Sequence, residues 1–208
     1  MTNKSLILGV VTTLALAGGT AQAATIIWDM SGGIAPPGMA VGVTHNFTAG
    51  GMTISAAGFT TPSFTPTALF LKHNGGDQVG LGVASGVDHE ISGNDIVVVN
   101  FSAIAAGLTP DSFDFKMSSV SGNDSWLVLG SNTGTAGSFT HTVASGHNEG
   151  LHTGLPVFNF YEFSAPTGTV LLGQVSGTTA PAAAPEPMSL SLFGLGLAGL
   201  ALVRRRRS

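Results

Sequence analysis

Five side chains between residues 77 and 95 are acidic or asparagine side chains that could supply oxygen ligands. Ca²⁺ binds six to eight hard oxygen atoms at about 2.3–2.6 Å. Two of the acids are two positions apart, so in a strand both carboxylates would face the same way. The candidate calcium ligands are Asp77, Asp88, Glu90, Asn94 and Asp95. The competing interpretation is a solvated polar strand face flanked by Asx turns, and the stretch contains no D-x-D-x-D-G loop.

The histidine and serine patterns indicate no catalytic set. His147 and His152 are five positions apart and Gly150 lies between them, whereas the zinc motif H-E-x-x-H needs two histidines four apart on a helix. We therefore predict loop histidines there. No serine lies in G-x-S-x-G. We expect no enzyme, and the remaining enzymatic alternative is a hydrolase built on two separated carboxylates.

Net charge restricts the partners of the central region. Two lysines and ten acidic residues lie between residues 24 and 184, so this part carries a net charge of −8 with neutral histidines. Nucleic-acid binding needs a basic surface, so we expect no nucleic-acid partner. The chain has no cysteine, which excludes disulfides and thiolate sites. Trp28, Trp126 and Tyr161 lie in apolar segments, and we predict that all three are buried rather than a sugar-stacking platform.

Both ends of the chain have the composition of targeting segments. Residues 1–23 contain Lys4, then an apolar run, then small residues at the predicted cleavage site, and we expect signal peptidase to cut there. The cleavage-site residues are Ala21, Ala23 and Ala24. We expect export by the Sec route, an exported domain over residues 24–175, a flexible linker over residues 176–184 and a sorting segment over residues 185–208.

The exported domain is predicted to be all-β, an antiparallel β-sandwich of jelly-roll type. Some eleven short strands alternate with turns rich in Gly, Asn, Asp and Pro. Residues 95–101 form a continuous β-branched run, typical of a strand covered on both faces. Phe113, Phe115 and Met117 alternate with Asp114 and Lys116, typical of a half-buried strand. One brief helix is predicted over residues 102–108.

The C-terminal segment is predicted to insert in the inner membrane. Residues 188–203 are 16 uncharged, mostly Leu, Gly and Ala residues, a short transmembrane helix compared with the usual span of about 20. A basic cluster follows it and should stay on the cytoplasmic side: Arg204, Arg205, Arg206 and Arg207. Pro185, Glu186 and Pro187 precede it as an extended segment that cannot continue the helix. An uncut membrane anchor is the alternative to a processed tail.

Pro-Glu-Pro, the short apolar span and the arginine cluster together resemble the PEP-CTERM sorting signal of Gram-negative bacteria. In that family an integral-membrane enzyme, exosortase, recognises the tail. The resemblance implies exosortase as a partner and display at the cell surface, in the outer envelope or in the extracellular matrix. It also implies a structural or adhesive role, with a biofilm or exopolysaccharide association. The alternatives are a carbohydrate- or calcium-binding module and a secreted hydrolase.

A second resemblance lies within the exported domain. Residues 80–83 (Gly-Leu-Gly-Val), residues 88–91 (Asp-His-Glu-Ile) and the strand over residues 96–101 are similar to a pattern in many PEP-CTERM exported domains. The Phe-rich and Val/Leu-rich strands over residues 158–175 continue it. This pattern implies a β-sandwich and adds no chemistry.

Overall fold

Strands form nearly all of the regular structure. A computed structural model of the chain describes residues 22–31, 33, 38–85 and 87–181. Ala23–Ala180 forms one compact unit. Its strands are β1 (Thr25–Asp29), β2 (Gly38–Gly42), β3 (Thr44–Ala49), β4 (Met52–Thr60), β5 (Thr65–Thr67), β6 (Leu69–His73), β7 (Val79–Val83), β8 (Ile91–Ser92), β9 (Asp95–Asn100), β10 (Phe113–Ser118), β11 (Ser125–Ser131), β12 (His141–Gly146), β13 (Gly150–Leu155), β14 (Phe160–Thr167) and β15 (Thr169–Thr178). Two short 3₁₀ turns are Val87–His89 and Ala105–Gly107.

The strands form two antiparallel sheets. Sheet A has the order β13-β10-β15-β7-β6-β2, with β1 and β8 also paired to β15. Sheet B has the order β12-β11-β14-β9-β4-β3, with β5 paired to β4. Short connections join the sheets at both edges, because β2 continues into β3 and β12 continues into β13. The prediction of an all-β, two-sheet antiparallel fold is confirmed.

Hairpin turns set the register within each sheet. Ala49 pairs with Met52 across the two-residue turn of the β3–β4 hairpin. Gly50 and Gly51 have φ values of 55° and 76° in that turn. A type I′ turn needs positive φ at both central positions, a conformation in which glycine meets no Cβ clash.

Aromatic rings fill the core between the two sheets. Phe113 stacks on Tyr161 with ring centroids 3.6 Å apart, and Phe101 meets both rings edge-on at 5.5 Å. The Tyr161 hydroxyl donates a hydrogen bond to the Pro156 carbonyl and accepts one from the Phe158 amide, each 2.8 Å long. Burial raises the pKa of Tyr161 well above its usual range. The core is therefore stabilised by close packing of the aromatic rings and by the hydrogen bonds of the buried Tyr161 hydroxyl.

The predicted core residues are buried as expected. Trp28, Trp126 and Tyr161 are 1%, 2% and 0% exposed. This burial confirms that none of the three forms an exposed platform.

Strand β9 is covered on both faces, as its β-branched run predicts. Val97 and Val99 belong to the core between the sheets. Ile96 and Val98 face the other way and pack with Phe139 in a second apolar cluster on the outer face of sheet B. The continuous run arises because the segment that contains Phe139 covers this face.

The predicted helix over residues 102–108 is wrong. That segment contains only the 3₁₀ turn Ala105–Gly107. The amides of Ile104 and Ala105 both donate to the Phe101 carbonyl at 2.8 Å. Phe101 is fully buried and the chain must return to β10, so the turn is too short to propagate a helix.

The boundary between domain and linker lies later than predicted. Residues 176–178 were expected in the linker, but they form the end of β15. Ser176 pairs with Ile27 on one side and with Asp114 on the other. The small residues of this segment are tolerated in the strand because backbone pairing on both sides fixes it. Residues 182–184 of the predicted linker lie outside the described residues.

Most of the two targeting segments also lies outside the described residues. These parts are residues 1–21 of the predicted signal peptide, the predicted transmembrane helix over residues 188–203, and the flanking Pro-Glu-Pro and arginine groups. In the part of the chain that the structure does describe, no helix has the length and apolar character needed to cross a membrane.

Candidate functional site

Two glycines of β7 create a flat area on the outer face of sheet A. Gly80 and Gly82 pair with Lys72 and Phe70 of β6. The 3₁₀ turn that follows β7 lies directly on this area, because a Cβ atom at Gly82 would collide with the carbonyl oxygen of His89. The Gly-Leu-Gly-Val and Asp-His-Glu-Ile motifs are therefore parts of one structural unit. The glycines allow the close approach, and the second motif supplies the loop that makes it.

A buried ion pair holds this loop to the sheet. Lys72 Nζ donates to Glu90 Oε1 at 2.5 Å, and the two side chains are 4% and 3% exposed. The Ser119 hydroxyl donates to the same oxygen at 2.8 Å. Removing charges from water is costly, and such a pair is tolerated only when it is well matched and further hydrogen bonded. Loss of one partner would leave the other charge buried without compensation.

An aromatic stack lies beside the ion pair. The rings of Phe70 and His89 are nearly parallel, with centroids 4.1 Å apart and an interplanar angle of 21°. His89 is oriented by its Nδ1–H, which donates to the Ala84 carbonyl at 3.0 Å. The loop therefore presents the exposed His89 ring in a fixed position above the sheet.

A cavity of about 460 Å³ opens at this point. Its walls combine the aromatic stack, the buried lysine and three polar side chains. The lining residues are Phe70, Lys72, Asn74, Gln78, Asp88 and His89. We refer to it as the Lys72 cavity.

The structure separates the predicted calcium ligands into different settings. Asp88 is exposed and lies in the 3₁₀ turn with φ 54°, so the expectation that Asp88 and Glu90 share a strand face is wrong. The reason is the close packing of this turn on Gly82. Glu90 is occupied by Lys72, whose positive charge opposes a cation at the same carboxylate. Only Asp88 of the five lines the Lys72 cavity.

The remaining three candidates lie in turns or at the start of β9. Asp95 accepts hydrogen bonds from Ser85 and Ser92. Asn94 lies in the turn before it and Asp77 in the turn after β6. Among the described residues, no group of three or more His, Asp or Glu side chains is arranged to hold a metal ion. Calcium binding stays a prediction.

The two histidines singled out by spacing have structural partners. His147 Nδ1–H donates to the Asp124 carbonyl at 3.1 Å. His152 was expected in a loop but lies in β13, where its ring packs on Phe115 and Trp126 with centroids 4.9 and 4.5 Å away. Burial lowers the pKa of His152. The strand forms despite its glycines because β10 supplies the pairing partner.

Glu162 is a third buried acid, on the outer face of sheet B. It is 7% exposed and pairs in register with Val98. The Gly137 amide donates to its carboxylate at 3.1 Å. Burial raises the pKa of Glu162, and this single hydrogen bond opposes the effect only in part.

The residues around the predicted cleavage site lie next to the last strand. Ala23 and Ala24 are exposed and precede β1 directly, whereas Ala21 lies outside the described residues. The predicted mature start therefore falls one residue before the first strand, so cleavage there would leave all the described strands intact.

The key residue that the sequence did not reveal is Lys72. The local signal is a lysine on the same strand face as Phe70, directly after the apolar residues 69–71 of β6. Its partner Glu90 is 18 positions away on a loop. No sequence periodicity connects two such positions.

Fold and site together define an all-β protein of two antiparallel sheets with a polar cavity on an outer face. Residues 183–207 match the family model of the PEP-CTERM protein-sorting motif. The chain is thus a protein with a PEP-CTERM sorting signal, exported and targeted to exosortase for processing. This signal implies a location at the cell surface or outside the cell of a Gram-negative bacterium. Comparisons with curated proteins and with solved structures gave no match.

Proposed function

We propose that the protein is a structural or adhesive component of the outer envelope or extracellular matrix, associated with biofilm exopolysaccharide. The observation that carries the proposal is the order of the chain. A compact unit that ends at Ala180 is followed by the sorting motif at residues 183–207. The described part of the sorted cargo is therefore a compact fold of two antiparallel sheets.

The negative net charge and the lack of cysteine in the sequence support this role. The region between residues 24 and 184 has a net charge of −8, and the chain has no cysteine. A negative surface favours solubility and disfavours nonspecific binding to other anionic polymers. The fold depends on packing and pairing alone, so its stability does not change with the redox state outside the cell.

The route that we propose has two membrane steps. The Sec machinery exports the chain, and signal peptidase cuts after Ala23. The segment over residues 188–203 then holds the protein in the inner membrane until exosortase acts at Pro185–Pro187.

Intact mass measurement with cell fractionation tests the route. The protein is recovered from its own host and from the same host without the sorting enzyme. We expect a product that starts at Ala24, ends near residues 185–187 and leaves the inner membrane only when the enzyme is present. Full-length protein in the membrane of both hosts would make the tail an uncut anchor and overturn the route.

A pair of variants makes this test specific to the motif. Replacing Pro185, Glu186 and Pro187 together by alanine should abolish release. Pro181→Ala, outside the motif, should be processed like the wild type. Equal processing of both variants would show that Pro-Glu-Pro is not the recognised feature.

The matrix role is tested separately. Deletion of the gene should reduce the number of cells that are retained in a biofilm. The wild-type gene should restore it, and the alanine variant of the tail should not. A carbohydrate- or calcium-binding module and a hydrolase are the competing predictions. A glycan array distinguishes a carbohydrate-binding module from a purely structural matrix protein, since only the binding module selects defined sugars.

A further inference from the structure

Polar groups with unused hydrogen-bonding capacity converge on the Lys72 cavity. The side chains of Asn74, Gln78 and Asp88 line it. All three residues are exposed, and their side chains make no hydrogen bond to another described residue, so their polar groups are open to a ligand. Asp95 and Glu149, by contrast, accept hydrogen bonds from serine hydroxyls or a backbone amide. Amide and carboxylate groups with open sites can bind the paired hydroxyls of a ligand.

A buried ammonium with spare donors forms part of the cavity wall. A lysine has three N–H donors. Among the described residues, Glu90 is the one hydrogen-bond partner of Lys72 Nζ, although the lysine side chain is only 4% exposed. The ammonium is satisfied by Glu90, and its further N–H donors can also bind a ligand oxygen in the cavity.

The cavity beside Lys72 is large enough for a small ligand. Gly38 of β2 and Gly80 of β7 pair with Lys72 from its two sides. A Cβ atom at either glycine would collide with a backbone carbonyl oxygen, of Leu71 or of Leu172, so the backbone is closely packed at both positions. A volume of about 460 Å³ lies in the range of small-ligand clefts, roughly 300–1,000 Å³.

The aromatic stack supplies an apolar wall. Phe70 is half-buried and stacks on the exposed His89 ring, with ring centroids 4.1 Å apart. A pyranose ring combines an apolar C–H face with hydroxyl groups at its edge. Clefts that bind such molecules combine apolar surface with a few well-placed polar groups.

The charge of the cavity selects among sugars. Glu90 compensates Lys72, and Asp88 adds a negative charge at the wall. The surrounding region has a net charge of −8 between residues 24 and 184. An acidic sugar such as a uronate would be repelled, whereas an uncharged one would not.

We propose that the Lys72 cavity binds one neutral hexose unit of a polysaccharide. Lys72, Asn74, Gln78 and Asp88 bind its hydroxyls, and Phe70 packs on its ring face. The inference goes beyond the proposed structural role, because it assigns selective sugar binding, the carbohydrate-binding alternative, to a named cavity. It rests on the proposed function only for where the polysaccharide is met.

Calorimetric titration of the full-length protein in a non-glycosidic detergent tests the inference. The probes are neutral hexose tetrasaccharides and uronate tetrasaccharides of equal length. We expect saturable binding of at least one neutral probe and at least tenfold weaker binding of the uronates. Preference for the uronates would overturn the proposal, as would the absence of binding to every neutral probe.

Variants of the cavity rim locate the site without breaking the buried ion pair. Gln78→Ala and Asp88→Asn should each weaken binding by about tenfold, the effect of one lost hydrogen bond of about 1.4 kcal/mol. Asn123→Ala changes an exposed amide that does not line the cavity and should bind like the wild type. Unchanged binding in both rim variants would place the sugar elsewhere and overturn the assignment.

The two proposals fail separately in this design. Binding is measured on the full-length chain, whether or not exosortase cuts it. Loss of processing with intact binding would refute only the sorting route, and correct processing without sugar binding would refute only the cavity assignment.

Discussion

Ala24 and Thr179 are hydrogen bonded to each other at the two ends of the folded unit. The Ala24 amide donates to Thr179 Oγ1 at 3.1 Å, and the Thr179 amide donates to the Ala24 carbonyl at 2.9 Å. The predicted mature N-terminus and the residue that leads to the sorting tail therefore lie side by side. This pairing continues along all of β1, from Thr25 with Thr178 to Asp29 with Gln174.

Strand β1 should contribute to stability mainly through Trp28. This side chain is 1% exposed, and its indole N–H donates to the Met52 carbonyl at 3.2 Å. Trp28→Ala should lower the free energy of unfolding by about 3–5 kcal/mol, because it leaves a cavity in the core. Urea denaturation measures this loss.

Ile27→Ala is the matched control for this prediction. Ile27 is in the same strand but is 53% exposed, so its truncation should change the free energy of unfolding by less than about 0.5 kcal/mol. Equal effects of the two variants would contradict the burial of β1 against the core.

Loss of one partner of the Lys72–Glu90 pair should destabilise the fold more than loss of both partners. Lys72→Met leaves the Glu90 carboxylate buried without its counter-charge, and the free energy of unfolding should fall by about 3–5 kcal/mol. Combining it with Glu90→Met removes both charges and should recover most of this loss. Chemical denaturation of the two variants measures the difference.

Lys116→Met is the control for loss of a lysine. Lys116 is exposed on β10, and its replacement should change stability by less than about 0.5 kcal/mol. A neutral effect of Lys72→Met alone would show that the pair is solvated rather than buried.

The strands that were predicted best from the sequence are those in which buried and exposed side chains alternate. In β10, Phe113, Phe115 and Met117 are all buried as the alternation requires. The strand β13 was missed because its sequence, Gly-Leu-His-Thr-Gly-Leu, is polar and glycine-rich. Its pairing partner β10 lies far away in the sequence, and only the tertiary structure brings the two together.

The sequence singled out two acids of the candidate site but not the interactions that they make. Asp88 and Glu90 stood out as closely spaced acids, and both lie at or beside the Lys72 cavity. Their interpretation depends on Lys72 and on the close packing of the loop on Gly82. Side chains from separate strands determine both features, so local spacing could not show them.

Gly82 should be essential for the shape of the loop. A Cβ atom there would collide with the His89 carbonyl oxygen and approach Glu90 Cα to 2.8 Å. Gly82→Ala should lower the free energy of unfolding by about 1–3 kcal/mol through overpacking. It should also accelerate hydrogen exchange at the Glu90 amide, which donates to the Val87 carbonyl at 3.1 Å.

Gly107→Ala tests whether this effect is specific. No atom lies within 4 Å of a Cβ placed at Gly107, so this variant should keep wild-type stability and exchange at Glu90. Unchanged exchange in Gly82→Ala would mean that the loop does not depend on the glycine.

Glu162 should make stability fall as pH rises. Burial raises its pKa above the ordinary value of 4.5, so the folded state binds a proton that the unfolded state has already lost. Its contribution is complete below pH 4.5 and is lost as pH rises through the folded-state pKa. Glu162→Gln resembles the protonated form and keeps an acceptor for the Gly137 amide.

The stability difference between Glu162→Gln and the wild type should therefore be small near pH 4 and grow in favour of the variant toward neutral pH. One proton limits its slope to about 1.4 kcal/mol per pH unit. Urea denaturation at a series of pH values measures it. A difference that is constant with pH, or a less stable Glu162→Gln at pH 7, would show that the carboxylate is not destabilised by burial.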